Sequence, residues 1–527
     1  MRAARTHYEI SVRCCCAPTN FCMFPDPLLL PGCGDQAGRK SGSMEMAVSD
    51  SPSLPAVPGT RRRMLAEAGA GFGTLALAGM LDRDGLLAAG DEPQDLIPRP
   101  GHAQPRARAV IQLFQNGGPS QMDLFDEKPE LTRQHGKVPS QEIETFQLDN
   151  NNVLLKSPYA FYEAGECGMR LGELIPHTSS IADDICLVRS MHTGHNNHPF
   201  AINMFQTGKT FPGRPAMGSW ICYGLGTERD DLPGYVVLRS PKGYNTSGKM
   251  VWSSGWLPAV YQGTEFNSTG DVVHYLSPQS GTSPSGRRRS LDLLAKLNRR
   301  HQRRYPRESE LEARIQNYEL AARMQLAASS ALDLKQESQE TRSLYGLDNP
   351  VTAAYGSRVL MARRLVEAGV RFVQVFPPVS PSFQPWDNHN NLPRDLPSIC
   401  RQTDQPSAAL VKDLKRRGLL DDVIVMWAGE FGRLPISEAK DGRDHNRNAF
   451  SLWMAGGGFR GGHVHGGTDD FGYAAVEDRV SVADLHATVL QQLGLDHRRL
   501  TFRHSGRPER LTDPEVTGAR VVDELLS

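Results

Sequence analysis

Short, largely apolar runs recur along the chain, each closed by a polar or glycine-rich stretch. The clearest are Ala109 to Phe114, Ile185 to Met191, Val370 to Phe376, Val423 to Trp427 and Phe450 to Ala455. Their length and near-continuous hydrophobicity predict strands buried on both faces, as a mostly parallel sheet requires. Segments of helical period lie between them: Tyr355 to Ala368, closed by Gly369 as a C-cap, then about Pro406 to Gly418, then Val482 to Leu493. A helix, a glycine and the strand Val370 to Phe376 in succession make half of a βαβ unit. The pattern therefore predicts an α/β fold. Residues 213–285, rich in Gly, Ser, Pro and aromatics such as Trp220, Trp252, Trp256 and Tyr261, predict loops and short strands walling a pocket. Residues 288–330 read as a helical insertion, with its helix over Glu308 to Ala328, and residues 501–512 as a terminal strand pair.

The residues just past each apolar run change the picture from fold to chemistry, because ligands of open α/β sheets bind outside the carboxyl ends of the strands. Asn116-Gly117-Gly118, with Ser120 and Asp123 beyond it, comes after the first run. His192, His195 and His198 come after the second; Pro199 suits the first turn of a helix and so places Asn197 and His198 at a positive helix N-terminus, where an anion would be stabilised. Asp387 and His389 lie beyond the strand ending near Phe376, as ligands of one metal or as part of an Asx-rich turn. Glu430 and Arg433 lie beyond Val423 to Trp427; Asp444 and His445 precede Phe450; His463 and His465 come after Gly456 to Gly458. Carboxylates and imidazoles gathered by glycine-rich loops predict a site for a hard or borderline divalent ion.

Charge narrows the partners. Lys+Arg 59 balances Asp+Glu 59, which excludes a nucleic-acid partner recruited by bulk electrostatics. Past the N-terminal region no apolar run is long enough for a permanent membrane span. Five of the nine cysteines (Cys14, Cys15, Cys16, Cys22, Cys33) crowd the N-terminus, and none makes a CxxC pair. Residues 1–59 read as disordered, or as an extension upstream of a later start at Met44 or Met46. Residues 60–90, with Arg61-Arg62-Arg63 ahead of a mildly apolar Gly/Ala-rich stretch, have the shape of a twin-arginine signal, which predicts the twin-arginine export machinery as a partner and a periplasmic or exported protein. The remaining 105–527 forms the folded domain.

The motifs NGGPSQMDLFD, SMHTGHNNHPFAINMFQTG, GRPAMGSW, GVRFVQVF, WDNHNN, WAGEFGR, GRDHN and AGGGFRGG together resemble an exported bacterial family labelled domain of unknown function 1501. That family is similar to sulfatases within the alkaline-phosphatase-like superfamily. The resemblance implies a three-layer α/β/α sandwich with a mostly parallel central sheet, and descent from metal-dependent hydrolases of sulfate or phosphate esters. It places Asp387, with His389 or Asn391, in a metal-binding role, Glu430 in that of the carboxylate after the next strand, and His445 and His465 (or His463) among the superfamily's site histidines. Asn116 stands where the superfamily has a metal-binding Asp. Counting back from Thr207-Gly208, the nucleophile position falls near His198.

The expected protein is thus an exported metal-dependent hydrolase of a small-molecule or polysaccharide sulfate or phosphate ester. Zinc or calcium would be held by Asn116, Asp387, His389, Glu430, Asp444, His445 and His465. His198 would act as nucleophile or general acid/base beside Asn197, with Arg433 clamping the anion. The alternative is a catalytically degenerate relative that binds a polysaccharide or cell-surface partner.

Overall fold

Strand β1 (Ala109–Phe114) is buried along its whole length and hydrogen-bonded on both sides. Around it lie β2 (Ile185–His192), β3 (Tyr235–Arg239), β4 (Thr264–Asn267), β5 (Phe372–Val375), β6 (Val423–Ala428), β7 (Phe450–Ala455), β8 (His463–His465) and the short β9 (Val480–Ser481). The computed structural model describes residues 95–146, 150–229, 231–267, 284–304, 332–379, 384–439 and 441–527. The expected N-terminal extension, the expected signal segment 60–90 and the expected helix Glu308 to Ala328 lie outside the described residues.

The nine strands run in the order β8-β2-β7-β6-β1-β5-β3-β4, with β9 added beside β2. Every pairing in this sheet is parallel except those of β7, which runs antiparallel to both β2 and β6. One reversed strand in the middle of the sheet has a consequence for function. Residues that precede β7 arrive at the same edge as residues that come after its neighbours.

Helices α1 (His198–Thr207), α2 (Met217–Leu225), α3 (Ala353–Glu367), α4 (Leu392–Arg416) and α5 (Val482–Gln492) cover the two faces. Alternate residues of β1 point to opposite layers, as strand pleating demands. Ala109, Ile111 and Leu113 pack with Val359, Leu360 and Leu410 of α3 and α4. Val110 and Phe114 pack with Ile202, Trp220 and Leu485 of α1, α2 and α5. The result is the expected three-layer α/β/α sandwich.

Two helices depart from the sequence expectation. Helix α4 starts fourteen residues before Pro406, at Leu392 rather than at that proline, and carries Pro397 and Pro406 inside it. Each internal proline costs about 3 kcal/mol of helix propensity, but α4 buries Leu396, Ile399, Cys400, Leu410, Val411 and Leu414, and burying one such side chain contributes about 1.5–3 kcal/mol. Helix α2 lies in the stretch expected to be loops and short strands; all but Gly224 of its residues are buried, so no polar face marks the helical period. The terminal strand pair forms as Phe502–His504 with Arg507–Glu509. Cys167, Cys186, Cys222 and Cys400 are free thiols. Among the described residues no helix is long and apolar enough to cross a membrane.

Candidate metal centre

Five chain segments meet at the carboxyl edge between β1, β6, β7 and β2. The β1–loop turn brings Asn116-Gly117, β2 leads to His198 at the start of α1, and β6 leads to Glu430. The segment after β5 brings Asp387 and His389, and the reversed β7 is preceded by Asp444-His445. Gly117 makes the closest approach possible. Its φ is +117°, and a Cβ there would lie 2.7 Å from the backbone nitrogens of Trp386 and Asp387.

His198, Asp387, His389 and His445 converge, each offering one ligand atom within 4.8 Å of the others. His389 Nε2 stands 2.9 Å from Asp387 Oδ1 and 2.9 Å from His445 Nε2, which is itself 3.1 Å from Asp387 Oδ1. His198 Nε2 lies 3.3 Å from the other carboxylate oxygen, Oδ2, and is buried without a well-formed hydrogen bond among the described residues.

The far nitrogen of each ring settles its tautomer. His445 Nδ1 is 2.7 Å from the carbonyl oxygen of Asn196, which can only accept, so Nδ1 carries the proton and Nε2 a lone pair. His389 Nδ1 donates to Glu438, and His198 Nδ1 donates to Glu430 over 2.7 Å. With His389 neutral, three acceptors, His389 Nε2, His445 Nε2 and Asp387 Oδ1, face one another and require a positive charge among them, either a proton on His389 or a metal ion. Histidines anchored by carboxylates or carbonyls through one nitrogen and converging through the other are arranged as metal ligands are. Three imidazoles with one carboxylate suit a borderline ion such as zinc; calcium takes oxygen ligands throughout.

Electrostatics reflect this crowding. Burial opposes charge on His389, but Asp387 and Glu438 outweigh it and push its pKa up to about 9. Burial likewise opposes charge on His198, and Asp387 and Glu430 again raise its pKa. His445 goes the other way, to about 3, because burial and the positive charges of Arg433 and His198 exceed the pull of Asp387. Burial alone would raise the pKa of Asp387, yet Arg433 and the three histidines hold it well below the usual carboxylate range.

Of the other expected residues, Asp444 forms with His389 and Glu438 a second group of converging ligand atoms beside this cluster, and the rest lie outside it. Glu430, fully buried, accepts from Gly117 N–H through both oxygens (2.9 and 3.1 Å) as well as from His198. Arg433 is also fully buried. It donates to Asp387 Oδ1 (2.7 Å) and to the carbonyls of Gly117, Gly118 and Arg443, so the fork expected to clamp an anion braces the loops instead. Asp444 accepts from the backbone N–H groups of Phe146 and His445 (2.7 Å each), and one of its oxygens lies within 4.8 Å of ligand atoms of His389 and Glu438. Asn116 donates to Gln384. Asn197 is the N-cap of α1 without a side-chain capping bond. His465 lies on β8 opposite Val188, in the middle of β2 and away from its carboxyl end, with its ring 6.1 Å from that of His463. Asp123, buried, forms a bidentate pair with Arg443 (2.7 and 3.1 Å).

Sequence reasoning passed over Glu438 and Phe146. Phe146 stacks on His445 at 5.3 Å and 26°, and Glu438 reaches His389 through the tight hairpin in which it pairs with Gly442. No spacing rule marks either residue.

No curated protein matches this chain. Distant likeness exists to solved structures. Alkaline phosphatase from the Antarctic bacterium TAB5 shares 10% identity, with 74% of this chain and 98% of that one covered and a TM-score of 0.30. The PsFucS1 sulfatase from Pseudoalteromonas sp. shares 11%, with 74% and 68% covered and a TM-score of 0.32. The lipoteichoic acid synthase LtaP from Listeria monocytogenes shares 9%, with 76% of each chain covered and a TM-score of 0.30. The model of a family described as protein of unknown function, DUF1501, matches residues 107–526. Nearly the whole described domain falls inside that match, and the chain belongs to the DUF1501 family.

Proposed function

We propose that the protein is an exported, metal-dependent hydrolase of sulfate or phosphate esters. The reading rests on one observation: three potential ligand atoms, on His389, His445 and Asp387, meet at 2.9–3.1 Å with both far ring nitrogens anchored. The sulfatase-like sequence motifs supply the reaction class. A divalent ion held by these three residues, zinc by the donor set, would act as Lewis acid on an ester oxygen and lower the pKa of a bound water.

The chain's own groups have distinct tasks in this scheme. His198 sits across the second oxygen of Asp387, and its Nε2 is the atom free to take or deliver a proton. Glu430 orients the ring through Nδ1 and stabilises its charged form, the same division of labour as in a carboxylate–histidine pair of a catalytic triad. Arg433 keeps Asp387 ionised and in place. Export through the twin-arginine route, read from residues 60–90, completes the proposal.

The test separates the roles. Nitrophenyl sulfate and nitrophenyl phosphate are offered to metal-loaded wild type and His198→Gln. Turnover by wild type, lost in His198→Gln with metal content unchanged, supports the scheme. Absence of turnover of these esters, and of myo-inositol monosulfate and monophosphate, by a fully metal-loaded wild type would turn the reading towards a degenerate, polysaccharide-binding relative.

A further inference from the structure

Next to the metal centre, along the same carboxyl edge, lies a narrow cleft. The strand order β6-β1-β5-β3 puts the cluster outside β6 and β1 and the cleft outside β1, β5 and β3. Its walls include Asn116, Tyr244, Asn245, Trp252 and Phe376, and its space of about 10 Å³, partly open to solvent, admits one water-sized group. Two independent links tie it to the cluster. Ser247 Oγ donates to the carbonyl of Pro199, the residue after His198 (3.3 Å), and Gln384, three residues before Asp387, donates to Thr246 Oγ1 (3.0 Å).

Asn245 is the telling residue. It is 8% exposed, and its Oδ1 accepts from Ser247 N–H at 2.8 Å, which fixes the amide's orientation. Its Nδ2 is buried and has no acceptor among the described residues. A donor left in this state costs about 1–3 kcal/mol unless something fills the cleft and accepts from it. The occupant is neutral. Among the described residues of the lining the one cation, Arg239, is paired with Glu265 at 2.8 Å and spends its other donors on Ser240 O and Tyr244 Oη. Tyr244 is held between Trp252, stacked at 6.1 Å and 22°, and the Arg239 guanidinium 3.8 Å from its ring centre, so this wall of the cleft is fixed.

We infer that this cleft receives a free hydroxyl of the alcohol half of the ester, so that esters of polyols or sugars are preferred over those of simple aryl alcohols. The inference rests on the hydrolase reading for its reaction but on Asn245 for its specificity. Asn245→Asp keeps the acceptor for Ser247 N–H and replaces the donor by a charged oxygen; Asn245→Ala, which removes the donor without adding charge, separates loss of the hydrogen bond from charge repulsion.

Two readouts keep the inference separate from the hydrolase reading. Saturation-transfer NMR with unesterified myo-inositol needs no catalysis. Wild type is expected to bind it and both variants to lose about five- to tenfold in affinity, one neutral hydrogen bond. In turnover, both variants should raise KM for myo-inositol monosulfate and monophosphate by a similar factor while the matching nitrophenyl esters stay within about twofold. If no ester is turned over but inositol binds and the variants lose it, the hydrolase reading falls and the subsite stands. No binding of inositol by wild type, equal binding by the variants, or a crystal soaked in inositol that shows a single ordered water on Asn245 would each overturn the inference.

Discussion

His389 Nε2 and His445 Nε2 stand 2.9 Å apart, both turned towards Asp387 Oδ1, while the far nitrogen of each ring is committed to Glu438 or to the carbonyl of Asn196. Two imidazoles do not approach through lone pairs unless a cation lies between them. In the metal-free protein a proton on His389 can serve, because Asp387 and Glu438 outweigh burial and push its pKa up to about 9. A divalent ion serves better, because it satisfies all three atoms at once.

Glu438 anchors His389 without reaching the cluster itself. Glu438→Gln should leave the fold intact and lower metal affinity about 10- to 100-fold, the usual effect of removing an outer-shell partner. Competition titration with a metal-responsive chelator measures it. Unchanged affinity would mean that His389 is held by packing alone.

The metal-free protein should be most stable near pH 6.5 as far as these two rings are concerned. His389, raised from 6.5 to about 9, binds its proton more tightly when folded; its contribution is fully present below 6.5 and is lost as pH rises through 9. His445, lowered from 6.5 to about 3, is folded neutral. Its contribution is present above 6.5 and is lost as pH falls towards 3. Because metal must displace the His389 proton, its affinity should climb between pH 6.5 and 9. Chemical denaturation across this range, with chelator and with zinc, checks both signs.

Gly117 is required by both its backbone angle and its neighbours. Gly117→Ala places a Cβ 2.7 Å from the Asp387 and Trp386 nitrogens at φ +117°, so the Asp387 loop must shift. We expect a stability loss of about 1–3 kcal/mol, measured by denaturant unfolding, together with weaker metal binding. An alanine variant with wild-type affinity would show that the loop position does not matter.

Much of this was legible from residue order. The runs Ala109 to Phe114 and Phe450 to Ala455 form strands with those boundaries. Asp387, His389, His445 and His198 meet because each lies just past a strand at the carboxyl edge, or just before the reversed one. Strand order and direction could not be read. His465 has the same local dress as His445, but β8 runs parallel to β2 and leaves it mid-strand. Glu438 depends on one tight hairpin, and Arg433 on four backbone acceptors supplied by distant segments. Helix α4 hid behind Pro406, because a proline signals a helix start more strongly than a buried face signals its continuation.

Everything proposed for this site depends on His389, His445 and Asp387 holding a divalent ion. Elemental analysis of the folded full-length protein, beside His445→Ala prepared in the same way, decides whether they do. Wild type should carry about one tightly held ion per chain, zinc by the donor set, and the variant should lose it. A wild-type protein free of divalent metal that also fails to bind added zinc, or a His445→Ala protein that retains the ion, would contradict the assignment.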